Sequence, residues 1–126
     1  MKKEVIHAKS IPQSVGPYSQ VVGYCDLLFI SGQVSCDVDT GEVIRGTVAE
    51  QTTVVMDIIK NTLEEVGSCM DKIIKISVHL SDRKYFSEMN EVYKKYFTDG
   101  YPARLCVSGV QLYDGLDVEI DVIASK

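Results

Sequence analysis

From Ile74 to Leu80 apolar and polar residues alternate without a break, with Lys75, Ser77 and His79 in the polar places, which is the period of a strand buried on one face. Val118-Glu119-Ile120-Asp121-Val122 repeats the pattern. Leu27-Leu28-Phe29-Ile30-Ser31 is a shorter apolar run ending at Gly32, and Asp39-Thr40-Gly41 predicts a turn that folds it as a hairpin onto Glu42-Val43-Ile44. The period then lengthens. Val48, Val55, Ile58, Ile59, Leu63 and Val66 recur at helical spacing, Thr47 and Glu50 form the two halves of a capping box at its start, and Gly67 supplies a left-handed stop. Phe86, Met89, Tyr93, Tyr96 and Phe97 predict a second helix, with Gly100 and Pro102 beyond its end. Arg104 to Val110 reads as a strand joined through Asp114-Gly115, a hairpin signal, to the run that begins at Val118.

The predicted order is β-β-α-β-α-β-β over residues 1–126, with no linker or repeat to divide it, so the expected fold is one α+β domain with both helices on one side of a sheet. Its other face would carry Lys75, Ser77, His79, Glu119 and Asp121 among apolar residues, which suits either solvent or a mixed polar interface between subunits.

Composition narrows the function classes. Thirteen basic residues against eighteen acidic ones give a net charge of −5, with no basic run longer than a pair, so binding driven by a phosphate backbone is not expected. There is no apolar leader before Pro12 and no stretch as long as a membrane span, which predicts a cytoplasmic protein without membrane association. The four cysteines, at 25, 36, 69 and 106, make no zinc-binding spacing and read as reduced thiols. Two histidines, His7 and His79, are too few for a histidine-rich metal site, and nucleotide-binding glycine loops are absent.

Arg104 follows Pro102-Ala103 at the start of a strand, and Cys106, two residues on, leaves the same sheet face. A guanidinium there is either a structural ion-pair partner or a two-pronged clamp for a small carboxylate. Glu119 is either one member of a solvated polar face or a base within reach of a water. Cys106 is a small apolar filler unless a base activates it, and no such base is evident in the sequence. Gly16-Pro17-Tyr18-Ser19 is a rigid turn whose Tyr18 can also wall a pocket, Ser31-Gly32 offers a place where a ligand or backbone approaches closely, and Asn90 is either a buried contact or a surface filler.

Together these segments resemble the Rid family, the reactive intermediate imine deaminases also called the YjgF or RidA family. The resemblance runs in register through Gly16-Pro17-Tyr18-Ser19-Gln20, Phe29-Ile30-Ser31-Gly32-Gln33, Thr40-Gly41-Glu42, Asn90-Glu91-Val92-Tyr93, Pro102-Ala103-Arg104 and Val118-Glu119-Ile120. It implies a chorismate-mutase-like fold, a homotrimer with clefts between subunits, and cofactor-free hydrolysis of 2-aminoacrylate and 2-iminobutyrate to 2-keto acids and ammonia. Arg104 would then hold the substrate carboxylate, Glu119 would position water, and Tyr18, Ser31, Gly32, Asn90 and Cys106 would line the substrate site. A regulatory trimer that binds 2-keto acids or amino acids, and an endoribonuclease or translation inhibitor, are the alternatives. Leu105, where the family often has Ser or Thr, and Asp57, where Asn is common, are departures.

Overall fold

The computed structural model describes all residues, 1–126, as two layers. Six strands form one sheet: β1 (Glu4–Ile6), β2 (Val21–Tyr24), β3 (Leu27–Val34), β4 (Ile73–Leu80), β5 (Ala103–Ser108) and β6 (Val118–Ser125), in the spatial order β1-β2-β3-β6-β4-β5. Two helices, α1 (Val48–Glu65) and α2 (Phe86–Tyr93), cover one face. The crossovers β3-α1-β4 and β4-α2-β5 step in the same direction across the sheet, and because each must be right-handed, both helices lie on the same side. The α+β arrangement expected from the pattern is therefore the one observed. No helix is long and apolar enough to cross a membrane.

The core lies between the layers. Ile76, Val78 and Leu80 of β4 and Val118, Ile120 and Ala124 of β6 are fully buried, and they meet Val55, Met56, Ile59 and Leu63 of α1. The expected capping box is present: Thr47 Oγ1 accepts from the Glu50 amide and the Glu50 carboxylate accepts from the Thr47 amide. At the other end Gly67, at φ +90°, lets the Ser68 amide donate to the Leu63 carbonyl and its own amide to that of Glu64, closing α1 with satisfied carbonyls. Replacing Thr47 with alanine strands one amide and is expected to cost about 1 kcal/mol, a fall in Tm of roughly 4 °C that scanning calorimetry will register.

Both expected hairpins are replaced by other pairings. The turn at Asp37 to Glu42 exists, held by the Asp37 amide on the Glu42 carbonyl and by Gly41 at φ +76°, but it closes only a single bridge between Cys36 and Val43. The antiparallel partner of Leu27–Val34 is instead Val21–Tyr24, across a two-residue turn in which Cys25 takes φ 53°. Nor does β5 pair with β6. The first crossover leaves a slot between the parallel strands β3 and β4, and β6, apolar on one face along its length, fills it antiparallel to both. The Asp114-Gly115 turn, left-handed at both residues and tied down by Arg45 donating to Asp114, belongs to the connection that carries the chain back over β4. At the start of β4 a register shift buries Ile73 and leaves Ile74 half exposed, so the alternation is broken there.

Candidate functional site

Arg104 stands on the edge strand β5, in register with Ile76 of β4, and so faces the helix layer. There it meets one stripe of α2. Phe86, Asn90 and Tyr93 are spaced four and three residues apart, which stacks them on one side of a helix. Arg104 Nη1 donates to Asn90 Oδ1 at 2.7 Å, and the guanidinium carbon lies 4.8 Å from the centre of the Tyr93 ring and 5.6 Å from that of Phe86. Asn90 is the only side chain that accepts a hydrogen bond from Arg104, and no carboxylate lies within ion-pair distance. The structural ion pair that the sequence left open is thus not formed. A half-buried cation stacked on two rings, with N–H donors to spare, has the chemistry to take an anion in two-pronged fashion.

The cleft beside it, about 340 Å³, is lined by Asn90, Tyr93, Lys94, Tyr101, Pro102 and Arg104. Tyr101 stacks on Tyr93 with ring centres 6.3 Å apart and meets Phe97 edge-on. Lys94 is engaged by Glu91 at 2.9 Å. Burial pushes the Tyr93 phenol above its usual range, against the opposing pull of the Arg104 charge. Cys106 shares the helix-side face of β5 and lines the adjoining groove with Phe86 and Ser87. Burial raises its thiol, and the nearby positive charge of Arg104 only partly opposes this, so the thiol is protonated at neutral pH and serves as wall.

Glu119 occupies the opposite face. Its register partners are Val34 and His79, and its side chain makes no hydrogen bond or ion pair, whereas Asp121 lies 3.5 Å from His79. The carboxyl group rests over Gly32: a Cβ built on that glycine would come within 3.0 Å of the Glu119 carboxyl carbon. Gly32→Ala must displace the carboxylate, and because Gly32 has no left-handed φ the backbone tolerates the change. The expected result is a Glu119 carboxylate moved off its place over Gly32 with a Tm nearly unchanged in scanning calorimetry. Ser31 anchors a loop, its hydroxyl donating to the Ser19 carbonyl at 2.6 Å and its amide to that of Gln20. Ser31 and Gly32 line a groove on the open face with Ser19 and Asp121, and Tyr18, 46% exposed and next in the same loop, lines the neighbouring groove with the N-terminal segment.

Within one chain the proposed residues therefore form two groups: Arg104, Asn90 and Cys106 on the helix side at the sheet edge, and Ser31, Gly32 and Glu119 on the open face, with Tyr18 beside them. Sequence reading passed over Phe86 and Tyr93, which at helical spacing read as core, and Tyr101, which lies beyond Gly100 in a connecting segment. The spacing of Phe86 and Tyr93 from Asn90 was the available signal.

Residues 8–126 match the family model described as Endoribonuclease L-PSP. A RutC family protein of Pyrococcus abyssi is 40% identical over 126 residues, covering 100% of this chain and 99% of that protein. Among solved structures, YyfA of Yersinia pestis, from the conserved Rid protein family, superposes with a TM-score of 0.93 at 35% identity, covering 99% of this chain and 100% of that one. Escherichia coli TdcF, solved with bound serine, gives 0.88 at 31% identity over 98% of each chain. The family description is that of a ribonuclease, so these likenesses lend no support to the exclusion of nucleic acid that the net charge suggested.

Proposed function

Since this chain belongs to the Endoribonuclease L-PSP family, which includes the Rid proteins, we propose that it is a cytoplasmic hydrolase of short 2-imino and 2-enamino acids, a 2-iminobutanoate/2-iminopropanoate deaminase. The observation that carries this reading is the unpaired guanidinium of Arg104, held by Asn90 and two rings at the mouth of a small cleft. A carboxylate fits its free donors in two-pronged fashion. TdcF, with the same fold, holds serine, a small carboxylate-bearing amino acid.

Arg104 fixes the acid so that its imine carbon faces an oriented water. Glu119, a carboxylate without a partner, takes a proton from that water as its oxygen bonds to the carbon and the C=N π pair passes to nitrogen, and gives the proton to nitrogen to leave a carbinolamine. It then carries the hydroxyl proton to nitrogen in the same way, so that the C–N bond breaks, the C=O forms and ammonia departs from a 2-keto acid. The imine carbon is already electrophilic, so positioning and a preset field supply the gain and no metal or cofactor is called for. Because Arg104 and Glu119 lie on opposite faces of one sheet, both reach a single substrate only where two copies meet. A homotrimer with clefts between subunits answers that requirement, and the mixed polar and apolar open face is the surface it would use.

The test is a coupled assay in which threonine dehydratase releases 2-iminobutyrate in the presence of semicarbazide. Suppression of trapping by the protein, and not by Arg104→Ala, supports the reading; an unchanged trapping rate with active dehydratase overturns it and leaves a 2-keto-acid-binding trimer. The family description favours a ribonuclease as the second reading. RNA cleavage that follows the protein through purification and disappears in Arg104→Ala would establish it.

A further inference from the structure

Tyr93 is 4% exposed, and its hydroxyl is the one buried side-chain polar atom of the protein without a hydrogen-bond partner. Phenylalanine would fill the same space, pack as well against Phe97 and Tyr101, and offer Arg104 the same ring face, without stranding a polar atom away from water. The hydroxyl is therefore a burden to the ligand-free protein, and its use belongs to another state of the site. Arg104 is the charged group that acts on it, through its charge and as a guanidinium close to the phenol that falls short of a full hydrogen bond in this state, and the other titratable neighbour is Tyr101. Arg104 has five N–H donors, of which one goes to Asn90. The rings of Tyr93 and Phe86 hold the guanidinium by its faces, and stacking alone leaves its angle within that plane free.

We propose that Tyr93 is a positioning residue for Arg104, its phenolic oxygen accepting a second guanidinium N–H when Arg104 turns to grip a carboxylate. Asn90 and Tyr93 then fix two corners of the fork while two parallel N–H groups face the ligand, a small 2-imino or 2-keto acid. A neutral acceptor suits this place, because a carboxylate there would pair with the cation and compete with the substrate. The inference rests on the reading of Arg104 as carboxylate clamp and adds a residue to it.

The experiment is Tyr93→Phe in the full chain, with 2-ketobutyrate as a stable ligand. The free variant should melt at or above the temperature of the wild type, bind 2-ketobutyrate about tenfold more weakly by calorimetric titration, and show KM raised by a similar factor with kcat changed less than about threefold. In an Arg104→Ala background the same substitution should change binding not at all, which ties its effect to the guanidinium. A lower Tm with unaltered affinity would make the hydroxyl structural, and an affinity within about twofold of wild type, or an effect that persists without Arg104, overturns the assignment. If the wild type binds 2-ketobutyrate yet hydrolyses no imine, the deaminase reading fails while the titrations still decide the role of Tyr93. A wild type that binds no 2-ketobutyrate overturns both.

Discussion

Arg104→Ala is expected to lower kcat/KM for 2-iminobutyrate by about a hundredfold or more, which corresponds to about 3 kcal/mol of lost transition-state stabilisation. Two charge-assisted hydrogen bonds to the carboxylate disappear together, and no other free cation lines the cleft, since Lys94 is engaged by Glu91. The fold should hardly register the change. Arg104 makes no ion pair and a single hydrogen bond, to Asn90, so the variant gives up that bond and the stacking on Tyr93 and Phe86, and against these losses it removes a half-buried cation without a counter-charge. Kinetics in the dehydratase-coupled assay and a thermal melt separate the two effects. A change below about threefold in kcat/KM would identify the residue as an ordinary surface charge.

Glu119→Gln should abolish turnover and leave affinity for 2-ketobutyrate within about threefold of the wild type, because the carboxylate's function as a base is lost while Gln keeps its shape over Gly32. Binding an acid needs the guanidinium; splitting an imine also needs a group that takes a proton from water. Calorimetric titration beside single-turnover kinetics measures both quantities on the same preparation. Equal loss of binding and turnover would show that Glu119 holds ligand rather than orients water.

Helices and strand periods were legible in the sequence because they are local. The Thr47 to Glu50 box, the α1 stripe and the alternation of Val118 to Val122 each depend on residues within a few positions of one another, and each appears in place. Strand pairing is not local. Asp114-Gly115 does adopt the left-handed geometry its sequence suggests, yet the choice of neighbours was made by the slot that the β3-α1-β4 crossover leaves open. Turns without glycine or asparagine, such as Cys25-Asp26 between β2 and β3, gave no warning of the strands they join. At the site, Arg104 and Glu119 stood out as charged residues within strand patterns, and Asn90 entered through the family resemblance. Their relation did not, since which face of the sheet Arg104 takes depends on its register with Ile76, and the aromatic box depends on α2 lying over that edge.

The placement of β6 makes closure of the sheet a late and non-local event. β6 follows β3, β4 and β5 along the chain yet is an inner strand, hydrogen-bonded on both sides, and until Val118–Ser125 is in place β3 and β4 each present an open edge with unpaired amides and carbonyls. The sheet is thus closed through contacts far apart along the chain, and the folding protein passes through a stage in which its central seam is exposed to other chains.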